Sequence, residues 1–266
     1  MNHMQELELD ALVIIGGDGT MAIANKFIEQ KRVKVVGVPK TIDNDIVCTD
    51  QTFGFHTAME IATDALDRLQ TTATSHHRVM ILETMGRNAG WIALESGVAA
   101  GADVILLPEI PFKIDAIIKK IEERALKGRK STIICASEGA APVGGKQISR
   151  DFIPDSAEPI RLGGIAEWLC EQLEHKVQSE CRYTVLGHIQ RGGIPSGQDR
   201  VLCTQLGTAA VNCLMDGDFG KMVALNCGDV VRVPIKDVAG KTRTVEIDND
   251  MIRAARDTGV SFGDES

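Results

Sequence analysis

Two short strings in this 266-residue chain combine glycine, carboxylate and hydroxyl groups at spacings that suit phosphate chemistry. The first, Gly16-Gly17-Asp18-Gly19-Thr20, stands directly after an apolar run and before a helical stretch. There the N–H groups of a turn and of a helix N-terminus face one anion, while Asp18 stays free to hold a cation. This suggests a polyphosphate with Mg²⁺, touched by Gly17, Asp18, Gly19 and Thr20. A tight βα turn with Asp18 capping the helix accounts for the same residues without a ligand. The second string, Pro39-Lys40-Thr41-Ile42-Asp43-Asn44-Asp45, follows the next apolar run and so emerges at the same carboxyl edge of a parallel sheet. Asp43 can take the proton of a hydroxyl as its oxygen attacks phosphorus, and Asp45 can orient metal or water. An Asx-turn loop is the structural alternative.

The elements that must position these strings follow from the pattern of apolar runs. Strands are expected at Leu12–Ile15, Val33–Val38, Val79–Leu82, Val104–Leu107, Thr132–Ala136, Tyr183–Leu186 and Met222–Leu225. Helices are expected near 21–30, 55–72, 89–99, 114–127, 163–178 and 198–215. Strands alternating with helices make an α/β fold, with a largely parallel sheet covered on both faces. From Glu138 to Ile160 the chain reads as an irregular loop, a lid or an interdomain crossing. From about Val231 the tail holds the charged stretch Lys236–Asp250 and a short helix near 249–256.

Composition narrows the function. Lys and Arg number 29 against 37 Asp and Glu, a net charge of −8, and aromatic residues make up 4%. A chain with neither a basic face nor a stacking platform is not expected to bind nucleic acid. It can hold an acidic ligand only by gathering arginines in one cleft. The N-terminus shows neither signal peptide nor spanning helix, so the expected location is cytoplasmic and away from membranes. The 7 cysteines include no C-x-x-C pair and read as reduced, mostly buried thiols.

The glycine string alone is shared by several kinase families, among them NAD kinases and diacylglycerol kinases. Joined to Met85-Gly86-Arg87-Asn88-Ala89-Gly90 and Gly187-His188-Ile189-Gln190-Arg191-Gly192-Gly193, however, it makes the sequence resemble the phosphofructokinase family. The likeness runs from about Gly16 to Ala210 and takes in Thr52–Ala58, Pro108–Phe112 and Ser137-Glu138-Gly139. It implies two Rossmann-like α/β/α subdomains with mainly parallel sheets: 1–54 with about 190–240 for the donor, and about 55–189 with 241–266 for the sugar phosphate. The implied reaction moves the γ-phosphoryl group of ATP, with Mg²⁺ at Asp18 and Asp45, to the 1-hydroxyl of fructose 6-phosphate. Asp43 is then the base, and Arg87 faces the phosphoryl group in transfer. Sugar contacts are implied at Thr41, Ile42, Asp43, Met85, Gly86 and Glu138. His188 and Arg191 match residues that grip the sugar's own phosphate, and Ile189 and Gln190 are implied among the substrate contacts. Arg78 and Arg182 match arginines supplied by a neighbouring subunit, so a homo-oligomer with shared active sites, dimer or tetramer, is implied. A surface ion pair is the alternative reading of those two. Asp18, Asp43, Arg87 and Arg191 are all expected at one pocket.

Two positions speak to the donor. Gly19 resembles the ATP users, whose missing side chain leaves room for the nucleotide's inner phosphate. Lys40 resembles the pyrophosphate users, although some ATP users keep it. ATP is favoured because nucleotide entry needs the open Gly19 position, whereas a lysine suits either donor. Only fifteen residues precede Gly16. Family members normally place a strand and a glycine turn there, so the first subdomain is expected to be truncated. Two rival functions remain: a pyrophosphate-dependent phosphotransferase, and a non-catalytic subunit that binds sugar phosphate.

Overall fold

The computed structural model describes residues 4, 6–31, 33–152 and 160–265. In chain order the elements begin with strand β1 (Leu12–Gly16), helix α1 (Asp18–Lys31), β2 (Val35–Thr41), β3 (Phe53–Gly54) and α2 (Phe55–His76). There follow β4 (Val79–Thr84), α3 (Trp91–Ala99), β5 (Val104–Leu106), α4 (Ile114–Leu126) and β6 (Thr132–Ser137). Next come β7 (Ser149–Phe152), β8 (Ile160–Leu162), α5 (Ile165–Leu173), β9 (Cys181–Val185), a 3₁₀ turn at Gly187–Arg191, and α6 (Gly197–Met215). The chain closes with β10 (Lys221–Asn226), β11 (Asp229–Pro234), α7 (Ile235–Val238) and α8 (Asp250–Asp257). It packs as two compact units: Met1–Thr57 with Ile194–Arg243, and Ala58–Gly193 with Thr244–Ser266.

The first unit is built on a sheet of order β1-β2-β10-β11, with β3 pairing to the end of β2. β1, β2, β3 and β10 run parallel, and β11 returns antiparallel to β10. The valines of β2 alternate between faces, as strand geometry requires. Val35 joins Met21 and Ala24 of α1, with Met222, Ile235 and Val238, on one side. Val36 and Val38 meet Leu202, Leu206 and Ala210 of α6 on the other. Burial on both faces explains why β2 reads as a near-continuous apolar run, each fully buried Val contributing about 1.5–3 kcal/mol.

The second unit carries a wholly parallel sheet of order β5-β6-β4-β9. Every residue of β4 and β6 is buried. Val79, Ile81, Ile134 and Ala136 share a core with Phe112, with Ile117 and Ile121 of α4, and with Ile165, Leu169 and Leu173 of α5. α3 meets the sheet closely because Gly97 has no side chain; a Cβ there would stand 2.8 Å from Ile105.

Three expectations need correction. The stretch from Glu138 to Ile160 is not irregular throughout: β7 and β8 pair antiparallel, and residues 153–159 lie outside the described residues. In the tail, α8 matches the short helix expected near 249–256, and Val230, Val231 and Val233 add a strand that no expectation named, completing the β10–β11 hairpin. The helix expected over 163–178 spans only Ile165–Leu173. The cysteines are not mostly buried: Cys135, Cys181 and Cys213 are, whereas Cys48, Cys203 and Cys227 are exposed and Cys170 lies between. Among the described residues no helix is long and apolar enough to cross a membrane.

Candidate active site

In the first unit, parallel pairing of Gly16 with Pro39 brings the two phosphate-type strings to one sheet edge. The chain turns at Gly17 and enters α1 at Asp18, and the Met21 N–H donates to the Gly17 carbonyl at 3.0 Å. Gly16 admits no side chain, since a Cβ would lie 2.4 Å from Thr20 Oγ1. A Cβ on Gly17 would come within 3.6 Å of Thr41 Cβ, so the two strings are immediate neighbours. Around Gly19, apart from its chain neighbours and its own helix backbone, none of the described residues stands within 4 Å of a Cβ position, and Lys40 beside this edge is exposed.

The Thr41–Asp45 loop is fixed by its own polar groups. The Asp43 N–H donates to Thr41 Oγ1 at 3.1 Å. Asn44, at φ +53°, uses Oδ1 to accept the Thr52 N–H at 3.0 Å, and Thr52 Oγ1 donates to the Thr41 carbonyl at 2.8 Å. Arg243 donates from its backbone to the Asp45 carbonyl at 2.7 Å and from its guanidinium to the carbonyls of Asn44 and Asp50. Asp43 and Asp45 are consequently held buried, at 9% and 6% exposure, on a loop whose backbone is tied down on both sides. Buried carboxylates on so fixed a loop suit proton transfer and metal support. Asp18, half-buried, and Thr20 stand on the adjoining turn.

In the second unit, the carboxyl ends of β4, β6 and β9 build a cleft of about 140 Å³ whose lining includes Glu83, Met85, Glu138, Gly163 and His188. Gly86 (φ +137°) and Arg87 (φ +52°) turn the chain out of β4 in the left-handed region. The turn is held by Glu138, whose Oε1 accepts the Arg87 N–H at 3.1 Å, and by Gln190, whose Oε1 accepts the Met85 N–H at 2.9 Å. The Arg87 carbonyl lies against Gly139, where a Cβ would stand only 1.8 Å away. Thr84 Oγ1 and Ser137 Oγ, paired across β4 and β6, are buried with no hydrogen-bond partner among the described residues. Burial pushes the Glu138 carboxyl above the usual carboxylate range; the Arg87 N–H opposes this and the Glu83 charge adds to it.

The expected contacts of the 3₁₀ turn differ in kind. His188, Ile189 and Arg191 are exposed, whereas Gln190 is buried, and its amide is spent on Met85 and, at 3.4 Å, on the Ala58 carbonyl. Arg78 and Arg182 both pair with Glu180, Arg78 at 2.5 Å. β4 and β9 are in register there, Val79 facing Cys181.

Two further carboxylates carry no sequence signal of their own: Glu83 in the cleft wall and Glu109 at the end of the Arg87 loop. Glu83 is 3% exposed and accepts backbone N–H groups at the start of α5. Glu109 Oε1 accepts the N–H groups of Gly90 at 2.9 Å and Val245 at 2.8 Å, pinning the end of the Arg87 loop. Burial raises its pKa as well. The only available signal for Glu109 was its place in the Pro108–Phe112 string.

Known proteins resemble the chain along most of its length. The family described as Phosphofructokinase matches residues 1–214. An ATP-dependent 6-phosphofructokinase 2 of Clostridium perfringens is 52% identical over 265 residues, covering 99% of this chain and 72% of its own. A pyrophosphate–fructose 6-phosphate 1-phosphotransferase of Streptomyces coelicolor is 49% identical over 245 residues, covering 92% of this chain and 71% of its own. Among solved structures, a pyrophosphate-dependent phosphofructokinase from Marinobacter aquaeolei superposes with a TM-score of 0.80 over 98% of this chain and 70% of that one. At 22% identity that likeness concerns the fold alone.

Proposed function

We propose, because this chain belongs to the phosphofructokinase family, that it transfers the γ-phosphoryl group of ATP to the 1-hydroxyl of fructose 6-phosphate, giving fructose 1,6-bisphosphate and ADP. The observation that carries this reading is the 52% identity, over 265 residues, to a relative named for the ATP-dependent reaction. The open space beside Gly19 supports the nucleotide as donor, since a side chain at that position would intrude where its inner phosphate must pass.

In this reading Asp43 accepts the proton of the 1-hydroxyl, and the fixed Thr41–Asp45 loop keeps it aimed. Arg87 stabilises charge on the phosphoryl oxygens, and Glu138 accepts hydrogen bonds from sugar hydroxyls. His188 and Arg191, exposed on the 3₁₀ turn, grip the 6-phosphate, a task suited to an arginine fork. Thr41, Ile42, Met85, Gly86 and Ile189 complete the sugar side, with Gln190 acting through Met85.

The residues present fit a metal carried by the donor. Among the described residues no group of three or more His, Cys, Asp or Glu is set for a metal ion. Mg²⁺ is commonly held by one or two carboxylates and the phosphates themselves. Asp18 and Asp45 would hold it, and when bound it would neutralise charge building between the phosphates. We place the enzyme in the cytoplasm as a homo-oligomer, dimer or tetramer, in which Arg78 and Arg182 serve a partner's site.

The second reading, a pyrophosphate-dependent phosphotransferase, is favoured by the exposed Lys40 and by the similarity to the Streptomyces coelicolor protein. A coupled assay with ATP and pyrophosphate side by side decides between them. ATP is expected to support turnover at the higher kcat/KM. A preference for pyrophosphate would reverse the donor assignment. Thermal stabilisation by fructose 6-phosphate without turnover from either donor would leave a binding subunit.

A further inference from the structure

Glu83 lies inside β4, where a carboxylate has no place on hydrophobic grounds, and it is 3% exposed. Its charge is met by three backbone contacts. Oε1 and Oε2 accept the Gly164 N–H at 3.1 and 3.0 Å, and Oε2 accepts the Ala166 N–H at 3.0 Å. These donors belong to the first turn of α5, whose Gly164 N-cap supplies no side chain of its own. Gly163 and Gly164 take φ of +133° and +97°, a conformation with little intrinsic preference for one arrangement. Gly163 lines the cleft together with Glu138 and His188. The Glu83 carbonyl meanwhile accepts the Leu186 N–H at 3.1 Å, at the entrance to the Gly187–Arg191 turn.

One residue of the central strand therefore holds two segments of the cleft wall, one through its side chain and one through its backbone. Because Glu83 occupies the N-terminus of α5, that helix end is closed to a ligand phosphate. We propose that Glu83 is a positioning residue for fructose 6-phosphate: its carboxylate, engaged by the Gly164 and Ala166 N–H groups, fixes the Gly163–Ala166 turn as a wall of the cleft and so sets sugar-phosphate affinity through that turn. This rests on the sugar-phosphate reading of that cleft given above.

The test compares wild type with Glu83→Gln, which cannot accept at both oxygens, and Glu83→Asp, which keeps the charge but withdraws it by one methylene. Asn249→Ala is the control, since it removes a helix cap in the same unit, the acceptor of the Met251 N–H at 2.8 Å, away from the cleft. Amide exchange at Gly164 and Ala166, the calorimetric Kd for fructose 6-phosphate and thermal stabilisation by ATP are measured on each. Both Glu83 variants are expected to exchange faster at those amides and to bind fructose 6-phosphate roughly tenfold more weakly, the scale of losing hydrogen bonds to a charged group. Stabilisation by ATP should be unchanged, and Asn249→Ala should bind the sugar as wild type does.

Faster exchange with wild-type sugar affinity would overturn the proposal, leaving Glu83 a purely structural cap. So would two Glu83 variants that fail to fold while Asn249→Ala folds. A wild-type chain that does not bind fructose 6-phosphate would instead overturn the reading of the cleft, and this assignment with it.

Discussion

Asp43 and Arg191 stand at opposite extremes of burial, one 9% exposed and the other on an exposed turn, and their substitutions should separate accordingly. Asp43→Asn removes the proposed proton acceptor while keeping the loop's backbone contacts, so kcat should fall by about 10²–10⁴ with little change in fructose 6-phosphate affinity. Wild-type turnover in that variant would remove Asp43 from the mechanism. Arg191→Ala should act on binding: KM for fructose 6-phosphate rises about tenfold or more, as for a lost charge-assisted pair. An unchanged KM would contradict its assignment. The turns that carry Asp18, Asp43, Arg87 and Arg191 were legible because each is a glycine-flanked or polar string at the end of an apolar run. Glu83 and Glu109 were not legible, because what identifies them is a backbone N–H distant in sequence. Glu83 finds its partners 81 and 83 residues away, and no local spacing encodes that. Glu180 is hidden in the sequence for a similar reason, since only the β4–β9 register sets it beside Arg78.

At the scale of elements, the Arg87 loop depends on close backbone contact as much as on its own glycine. Gly139→Ala would place a methyl where the Arg87 carbonyl now lies, 1.8 Å from the new carbon. A cost of about 1–3 kcal/mol in stability is expected, as for overpacking generally, together with a lower kcat because Arg87 must shift. Urea unfolding and steady-state kinetics on the same preparation check both halves. A stable variant with full activity would show that the loop moves without consequence. Strands buried on both faces, such as β4 and β6, were readable as apolar runs. The β7–β8 hairpin was not: Ser149 and Asp151 carry no apolar alternation, and the pairing itself defines it. β11 was hidden by its arginine and aspartate, although the half-buried Val231 and Val233 alternate with the exposed Val230 and Arg232.

For the whole molecule, stability and charge are linked through carboxyls that burial holds above their ordinary range, namely Asp103, Glu109 and Glu138. The folded chain binds these protons more tightly than the unfolded one. Their contribution to stability is full below the unfolded value, about 4, and is lost as pH rises through the raised folded values. Asp264, lowered by its bond to Arg256, works in the other direction, its contribution being lost as pH falls through its folded value. Glu109→Gln should therefore flatten the decline in thermal midpoint as pH rises above the unfolded carboxyl's value of about 4. A slope identical to wild type would clear Glu109 as its source. The account as a whole turns on phosphoryl transfer to the sugar's 1-hydroxyl, and ³¹P NMR of the wild-type chain with ATP, Mg²⁺ and fructose 6-phosphate tests this directly. The γ-phosphate signal should give way to ADP and a new phosphomonoester at the sugar's 1-position. Retention of ATP and fructose 6-phosphate, or release of inorganic phosphate alone, would contradict it.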